Sequence, residues 1–146
     1  MDLKSLYREI VNEHNLHPAH KCDIEAPDMI LRGVNPSCGD DIYLQLKIDE
    51  NGIVTEGGFN GSGCAISQAS ADMMLDLIIG KNKDEALKDA EKFMGMVRST
   101  ASEEEIESLD EAAALSDIAH MPARVKCATL GWKTMQRMLR DGENEA

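Results

Sequence analysis

Asn51-Gly52 stands between two extended apolar runs, and this hairpin signature constrains the fold more than any other feature of the chain. Ile42-Tyr43-Leu44-Gln45-Leu46-Lys47-Ile48 leads into Asp49-Glu50-Asn51-Gly52, and a second run opens at Ile53. Asn and Gly both tolerate φ > 0, which a tight connection between antiparallel strands requires. Such a hairpin returns the chain to where it started. Cys38 sits on the Pro36-Ser37-Cys38-Gly39-Asp40 turn before the first run, and Cys64 lies beyond the second. The two thiols, far apart in sequence, are therefore expected to be neighbours in space.

The local setting of each thiol is also legible. Gly61-Ser62-Gly63-Cys64 passes into a segment with helical spacing at Ile66, Ala69, Met73 and Leu77. This places Cys64 in the first turn of a helix with Ser62 or Gly63 as cap, where free N–H groups and the positive end of the dipole favour a thiolate. Cys38 and Asp40 are two positions apart. In extended backbone that spacing puts thiol and carboxylate on one face.

The remaining elements follow from period and punctuation. Leu3, Leu6, Tyr7, Ile10 and Val11 form the stripe of an opening amphipathic helix, with no signal peptide ahead of it. His14 to Cys22, carrying three His around Pro18, reads as a polar surface loop rather than a metal site, and Cys22 as an incidental thiol. Met29 to Val34 is a first strand that ends at Pro36, which has no N–H for a ladder. Gly57-Gly58 predicts a bulge or a close backbone approach near the site. Asn82-Lys83-Asp84-Glu85 and Ser102-Glu103-Glu104-Glu105 are capping boxes. The first opens a helix with Leu87, Ala90, Met94 and Val97 inward; the second opens a short helix around Ile106 and Leu109. The acidic run after Ser102 reads as a solvated first turn rather than a cation site. Pro122 starts a last helix with Val125, Ala128, Trp132, Met135 and Leu139 on one stripe, and Gly142 stops it. Trp132 on that stripe is a core residue rather than a cofactor platform.

The chain is of single-domain length, 1–146 as one unit. Its net charge of −12 argues against nucleic acid or an anionic membrane as partner. No apolar run approaches the length of a membrane span. Four Cys without an export signal suit a reducing cytoplasm, where metal binding or thiol chemistry is favoured over disulfides.

Cys127, early in the last helix with Arg124 one turn before it and Lys126 adjoining, is a third candidate thiol. Cys38, Asp40, Cys64 and Cys127 together offer three thiolates and a carboxylate, a tetrahedral Zn²⁺ donor set. Zinc would leave two negative charges over, which Arg124 and Lys126 are placed to balance. The competing reading, buried core cysteines, fits poorly with the Gly and polar neighbours of Cys38 and Cys64.

Three segments, Asn35-Pro36-Ser37-Cys38-Gly39-Asp40, Gly61-Ser62-Gly63-Cys64-Ala65-Ile66-Ser67 and Arg124-Val125-Lys126-Cys127-Ala128, resemble the SufU branch of the IscU-like (NifU N-terminal) family. The resemblance spans nearly the whole chain. IscU-type chains carry His immediately before the third cysteine, where this chain has Lys126. The long segment between Cys64 and Cys127, with a helical stretch around Ser99 to Asp117, also matches the SufU pattern. The resemblance implies an α+β fold, a three-stranded antiparallel sheet packed against several helices. It implies Zn²⁺ held by Cys38, Asp40, Cys64 and Cys127, a SufS-type PLP-dependent cysteine desulfurase as partner, Cys38 as persulfide acceptor and Arg124 as the arginine beside the site.

Three functions are in play at this stage. The first is a zinc-dependent sulfurtransferase in iron–sulfur cluster biogenesis, delivering sulfur to downstream assembly or thiol carriers. The second is a scaffold assembling an Fe–S cluster on Cys38, Cys64 and Cys127, which thiolates also permit. The third is an interaction module with structural zinc.

Overall fold

The computed structural model describes residues 2–146. In chain order the elements are α1 (Leu3–Leu16), β1 (Met29–Asn35), β2 (Asp40–Ile48), β3 (Val54–Ser62), α2 (Ala65–Ile78), α3 (Lys83–Val97) and α4 (Glu103–Glu107). A 3₁₀ stretch (Asp110–His120) and α5 (Pro122–Leu139) complete them. The strands form one antiparallel sheet in the order β1-β2-β3, and helices pack on it: this is the expected α+β architecture.

Strand alternation explains how the sheet presents the site. In β2, Asp40, Ile42, Leu44 and Leu46 are all fully buried and share one face. Asn35 of β1 pairs with Asp40, and Ser62 of β3 pairs with Asp41. One end of the sheet therefore gathers the β1–β2 turn and the exit of β3, as the hairpin argument requires. The hairpin connection itself differs from a two-residue Asn-Gly turn. Gly52 alone takes positive φ (78°), and the Asp49 carboxylate accepts from the N–H groups of Asn51 and Ile53, both at 2.9 Å. The Asp side chain stabilises a longer loop, so β3 begins at Val54 and the register shifts at Lys47/Ile48.

That shift corrects the expectation at Gly57-Gly58. Neither residue forms a bulge or lies near Cys38, Cys64 or Cys127; they pair with Leu46 and Gln45, towards the turn of the hairpin. Close approach does account for both. A Cβ on Gly58 would run into the Cys22 carbonyl oxygen, and one on Gly57 would meet Leu75 at 2.7 Å.

Both capping boxes form as expected, at Asn82/Glu85 and Ser102/Glu105. The short helix stops at Glu107, however, and Leu109 precedes the 3₁₀ stretch. Trp132 is fully buried, stacked on Phe93 with centroids 4.4 Å apart, and its indole N–H donates to Ser70 Oγ at 3.1 Å. Ser70 Oγ in turn donates to the Ala128 carbonyl at 2.6 Å. Gly131 faces Ala71 of α2, and a Cβ added there would stand 3.4 Å from it. These contacts lock the helix of Cys127 against the helix that Cys64 starts.

The segment after α1 is not the free polar loop expected. His14 belongs to α1 and is buried, with Nδ1 2.7 Å from Asp72 of α2. The His20 N–H donates to the same carboxylate at 2.8 Å. Two buried or half-buried His thus hold the segment onto α2.

Candidate metal centre

Cys38 lies on the four-residue β1–β2 turn, where its N–H donates to the Asn35 carbonyl at 3.3 Å. Gly39 follows in the left-handed region (φ 70°) with open space around it. Cys38 is accordingly half-exposed, on a short turn with its side chain against Cys127. Asp40, two residues on, has its carboxylate fully buried on the inner face of β2. Its Oδ1 accepts from the Cys64 N–H at 2.8 Å and from Ser67 Oγ at 3.0 Å, while Oδ2 accepts from Asn35 Nδ2 at 3.0 Å. Burial alone would raise the affinity of this carboxylate for a proton. The hydrogen bonds from Cys64, Asn35, Ser67 and Cys127 outweigh it and hold Asp40 below the usual carboxylate range.

Cys64 corrects the expected cap of α2. Neither Ser62 nor Gly63 caps the helix; Cys64 does so itself, in extended backbone, its Sγ accepting from the Ser67 N–H at 3.4 Å. Gly63 leaves room for the carboxylate beneath it, because a Cβ there would stand 2.5 Å from Ser67 Oγ and 2.7 Å from Asp40 Oδ1. Cys127 arrives from α5 fully buried, with Asn35 Nδ2 at 3.7 Å from its Sγ. Burial first, and then the neighbouring Cys38, Cys64 and Asp40, push its thiol far above the ordinary cysteine range.

Donor atoms of Cys38, Asp40 and Cys127 lie within 4.8 Å of one another. Cys64 borders Cys127 but is outside that group, its sulfur turned to the end of its own helix. Arg124 is exposed in the first turn of α5, as is Lys126, and neither makes an ion pair among the described residues. The fold thus brings the four sequence-predicted donors to one end of the sheet, with two free cationic side chains on the same helix as the third thiol.

The residues fit a soft divalent cation. Two thiols and a carboxylate converge there, and burial disfavours the thiolate form of Cys127. A metal ion supplies the missing positive charge and inverts that preference. Sequence reasoning missed Asn35, Ser67 and Gln68. Asn35 and Ser67 orient Asp40, yet their sequence signal was only their presence in the motif segments. Gln68 is buried with neither side-chain atom hydrogen-bonded to protein, and its Nε2 lies 3.1 Å from where a Gly63 Cβ would be. A helix with Ser67, Gln68, Ser70 and Asp72 all buried is polar inside, and that was the missed signal.

A small α+β domain with a cysteine–carboxylate cluster at one end of a three-stranded sheet is the class of protein that the fold and site define. Residues 6–128 match the NifU-like N terminal domain, and the chain belongs to that family. It is 38% identical over 142 residues to the iron-sulfur cluster assembly scaffold protein IscU of Streptococcus pyogenes serotype M1, covering 97% of this chain and 87% of the relative. It is 37% identical over 136 residues to the zinc-dependent sulfurtransferase SufU of Bacillus subtilis, covering 93% and 90%. Among solved structures it is similar to one from Fervidobacterium islandicum AW-1, described as an iron-sulfur cluster assembly scaffold protein for the SUF system. That similarity has TM-score 0.84 and 34% identity, over 90% of this chain and 94% of the other.

Proposed function

We propose that this protein acts in iron–sulfur cluster assembly as a zinc-dependent sulfurtransferase, accepting persulfide sulfur on Cys38 from a SufS-type cysteine desulfurase in the cytoplasm. The observation that carries this reading is the inequality of the donors. Cys38 is half-exposed on a Gly-flanked turn, whereas Asp40 and Cys127 are fully buried and Cys64 caps a helix. A donor that can move suits transfer; donors that cannot move suit holding. Lys126 before the third cysteine and the insert built by α4 and the 3₁₀ stretch support the SufU branch.

Cys38, Asp40, Cys64 and Cys127 are the residues that hold zinc in this reading. Zinc keeps thiolates deprotonated at neutral pH. The transfer is a thiolate displacement. The Cys38 thiolate attacks the outer sulfur of the desulfurase persulfide, the S–S bond of that persulfide breaks, and the partner cysteine leaves as its thiolate. Cys38 then carries the persulfide, with no net oxidation. Arg124, exposed one turn ahead of Cys127, supplies positive charge for the anionic sulfur.

The test is mass spectrometry after incubation with a SufS-type desulfurase and cysteine. Wild type is expected to gain the mass of a sulfur atom on Cys38, and Cys38→Ser to fold, dock and gain none. An adduct on the variant at wild-type yield, located on Cys64 or Cys127, refutes the assignment. The scaffold reading is favoured by the IscU names among the relatives. Protein purified without oxygen that contains iron and sulfide in place of zinc would support it instead.

A further inference from the structure

The α1–α2 contact carries a second cluster of ligating groups, at a distance in sequence from every cysteine except Cys22. His14 of α1 places Nδ1 2.7 Å from Asp72 Oδ2 and Nε2 3.4 Å from Glu111 Oε1 of the 3₁₀ stretch. Asp76 Oδ2, one helical turn beyond Asp72, is 3.9 Å from Nδ1 of the same ring. His20 Nε2 holds the other Asp76 oxygen at 2.6 Å, and the His20 N–H holds Asp72 Oδ1 at 2.8 Å. Three carboxylates therefore face two imidazoles, and no Lys or Arg among the described residues pairs with any of the three.

The imidazole is the informative member. His14 is only 7% exposed, and a neutral ring has one N–H. If Asp72 takes that N–H, the Nε2 lone pair points at a carboxylate oxygen and has no donor. Such a pair of acceptors is satisfied either by a second proton on the ring, which makes both nitrogens donors, or by a metal cation between them. An Asp that fixes the Nδ1–H tautomer while Nε2 looks into a site is the usual outer support of a metal-ligating His.

We propose that His14, Asp76 and Glu111 form a second site for a divalent first-row cation that accepts nitrogen and oxygen donors, with Asp72 and His20 orienting the ligands. One donor atom from each of the three lies within 4.8 Å of the others. Tetrahedral donors on a 2.0 Å shell stand about 3.3 Å apart. The Asp76 and Glu111 side chains are 44% and 58% exposed, so both are free to close the difference. A cavity of about 150 Å³ lined by Met73, Asp76, Leu77, Leu109, Asp110 and Glu111 adjoins them and gives an entry path. The bound ion would tie α1, α2 and the 3₁₀ stretch together. It is independent of the cysteine cluster, because carboxylate and imidazole select a harder ion than thiolates do.

Mn²⁺ is the probe, since it prefers oxygen donors and passes over thiolates. The free ion is followed by electron paramagnetic resonance in titrations of the full chain. Wild type is expected to bind one Mn²⁺ per chain and to melt at higher temperature with it. Asp76→Asn/Glu111→Gln changes two exposed side chains and leaves the fold intact by circular dichroism. It is expected to bind at least tenfold more weakly and to lose the melting shift. Unchanged affinity in the double variant overturns the proposal. So does a wild type that binds no Mn²⁺, whether or not it loses stability as pH rises through the folded pKa of His14; such a loss would identify the competing occupant. In that case the occupant is a proton on His14. Burial opposes that proton, but Asp72 and Glu111 outweigh burial and hold the His14 pKa above its ordinary value, with Asp76 and His20 also facing the ring. A raised pKa means that this stability is present below the unfolded value and lost above the folded one.

Discussion

Asp40→Ala removes an acceptor from two N–H donors and a hydroxyl at once, besides the Cys127 thiol, and their fallback partners decide the cost. Ser67 Oγ also reaches the Cys64 carbonyl at 3.0 Å, so it loses little. Asn35 Nδ2 keeps only the 3.7 Å contact to Cys127 Sγ and loses about 1 kcal/mol. The part-buried Cys64 N–H loses this acceptor, at a cost of about 2 kcal/mol. Removing a buried carboxylate returns part of its burial cost, leaving about 2 kcal/mol net. With about 0.3 kcal/mol per kelvin of unfolding entropy for 146 residues, the metal-free protein is expected to melt about 6 °C lower. The pH dependence separates charge from shape. The folded pKa of Asp40 is lowered, so its carboxylate adds stability that is present above the unfolded pKa of about 3.9. That stability is lost as pH falls through the folded value. Asp40→Asn keeps the shape, so its deficit against wild type should shrink between pH 7 and pH 3. Thermal melts in chelator at both pH values measure this. A deficit that stays constant across that range, or an Asp40→Ala melt within 1 °C of wild type, refutes the reasoning.

Cys64→Ala and Cys127→Ala should each lose the metal, about one zinc per chain in the wild type, and with it much of the thermal stability, because binding is coupled to folding. Elemental analysis and melting check this; full zinc with an unchanged melting temperature would show that the ligand set is different. Gly63→Ala drives a methyl into Ser67 Oγ and Asp40 Oδ1. Its expected signature in chelator competition is zinc affinity 10–100-fold weaker with secondary structure retained. Trp132→Ala deletes the Phe93 stack and the bond to Ser70, and should cost 3–5 kcal/mol in denaturant unfolding, roughly the range for buried aromatics.

The sequence by itself determined the strands and the two capping-box helix starts, and it named the candidate donors. Period 2 in Ile42–Ile48, the capping boxes at Asn82 and Ser102, and Pro before β2 are local chemistry, and local chemistry acts through near neighbours in the chain. The hairpin argument placed Cys38 and Cys64 at one end of the sheet because antiparallel pairing is the one long-range contact a turn can dictate. Other features depended on which faces meet. That Asp40 is held by Asn35 and Ser67 follows from strand register and from α2 folding back over β3. That Cys64 caps its own helix depends on where extended backbone ends, a boundary Gly61 and Gly63 left open in the sequence. His14 lay in a stretch whose polarity and Pro18 read as a loop. Tertiary packing made it the buried partner of Asp72, since a polar side chain survives inside only where a distant residue supplies its hydrogen bond.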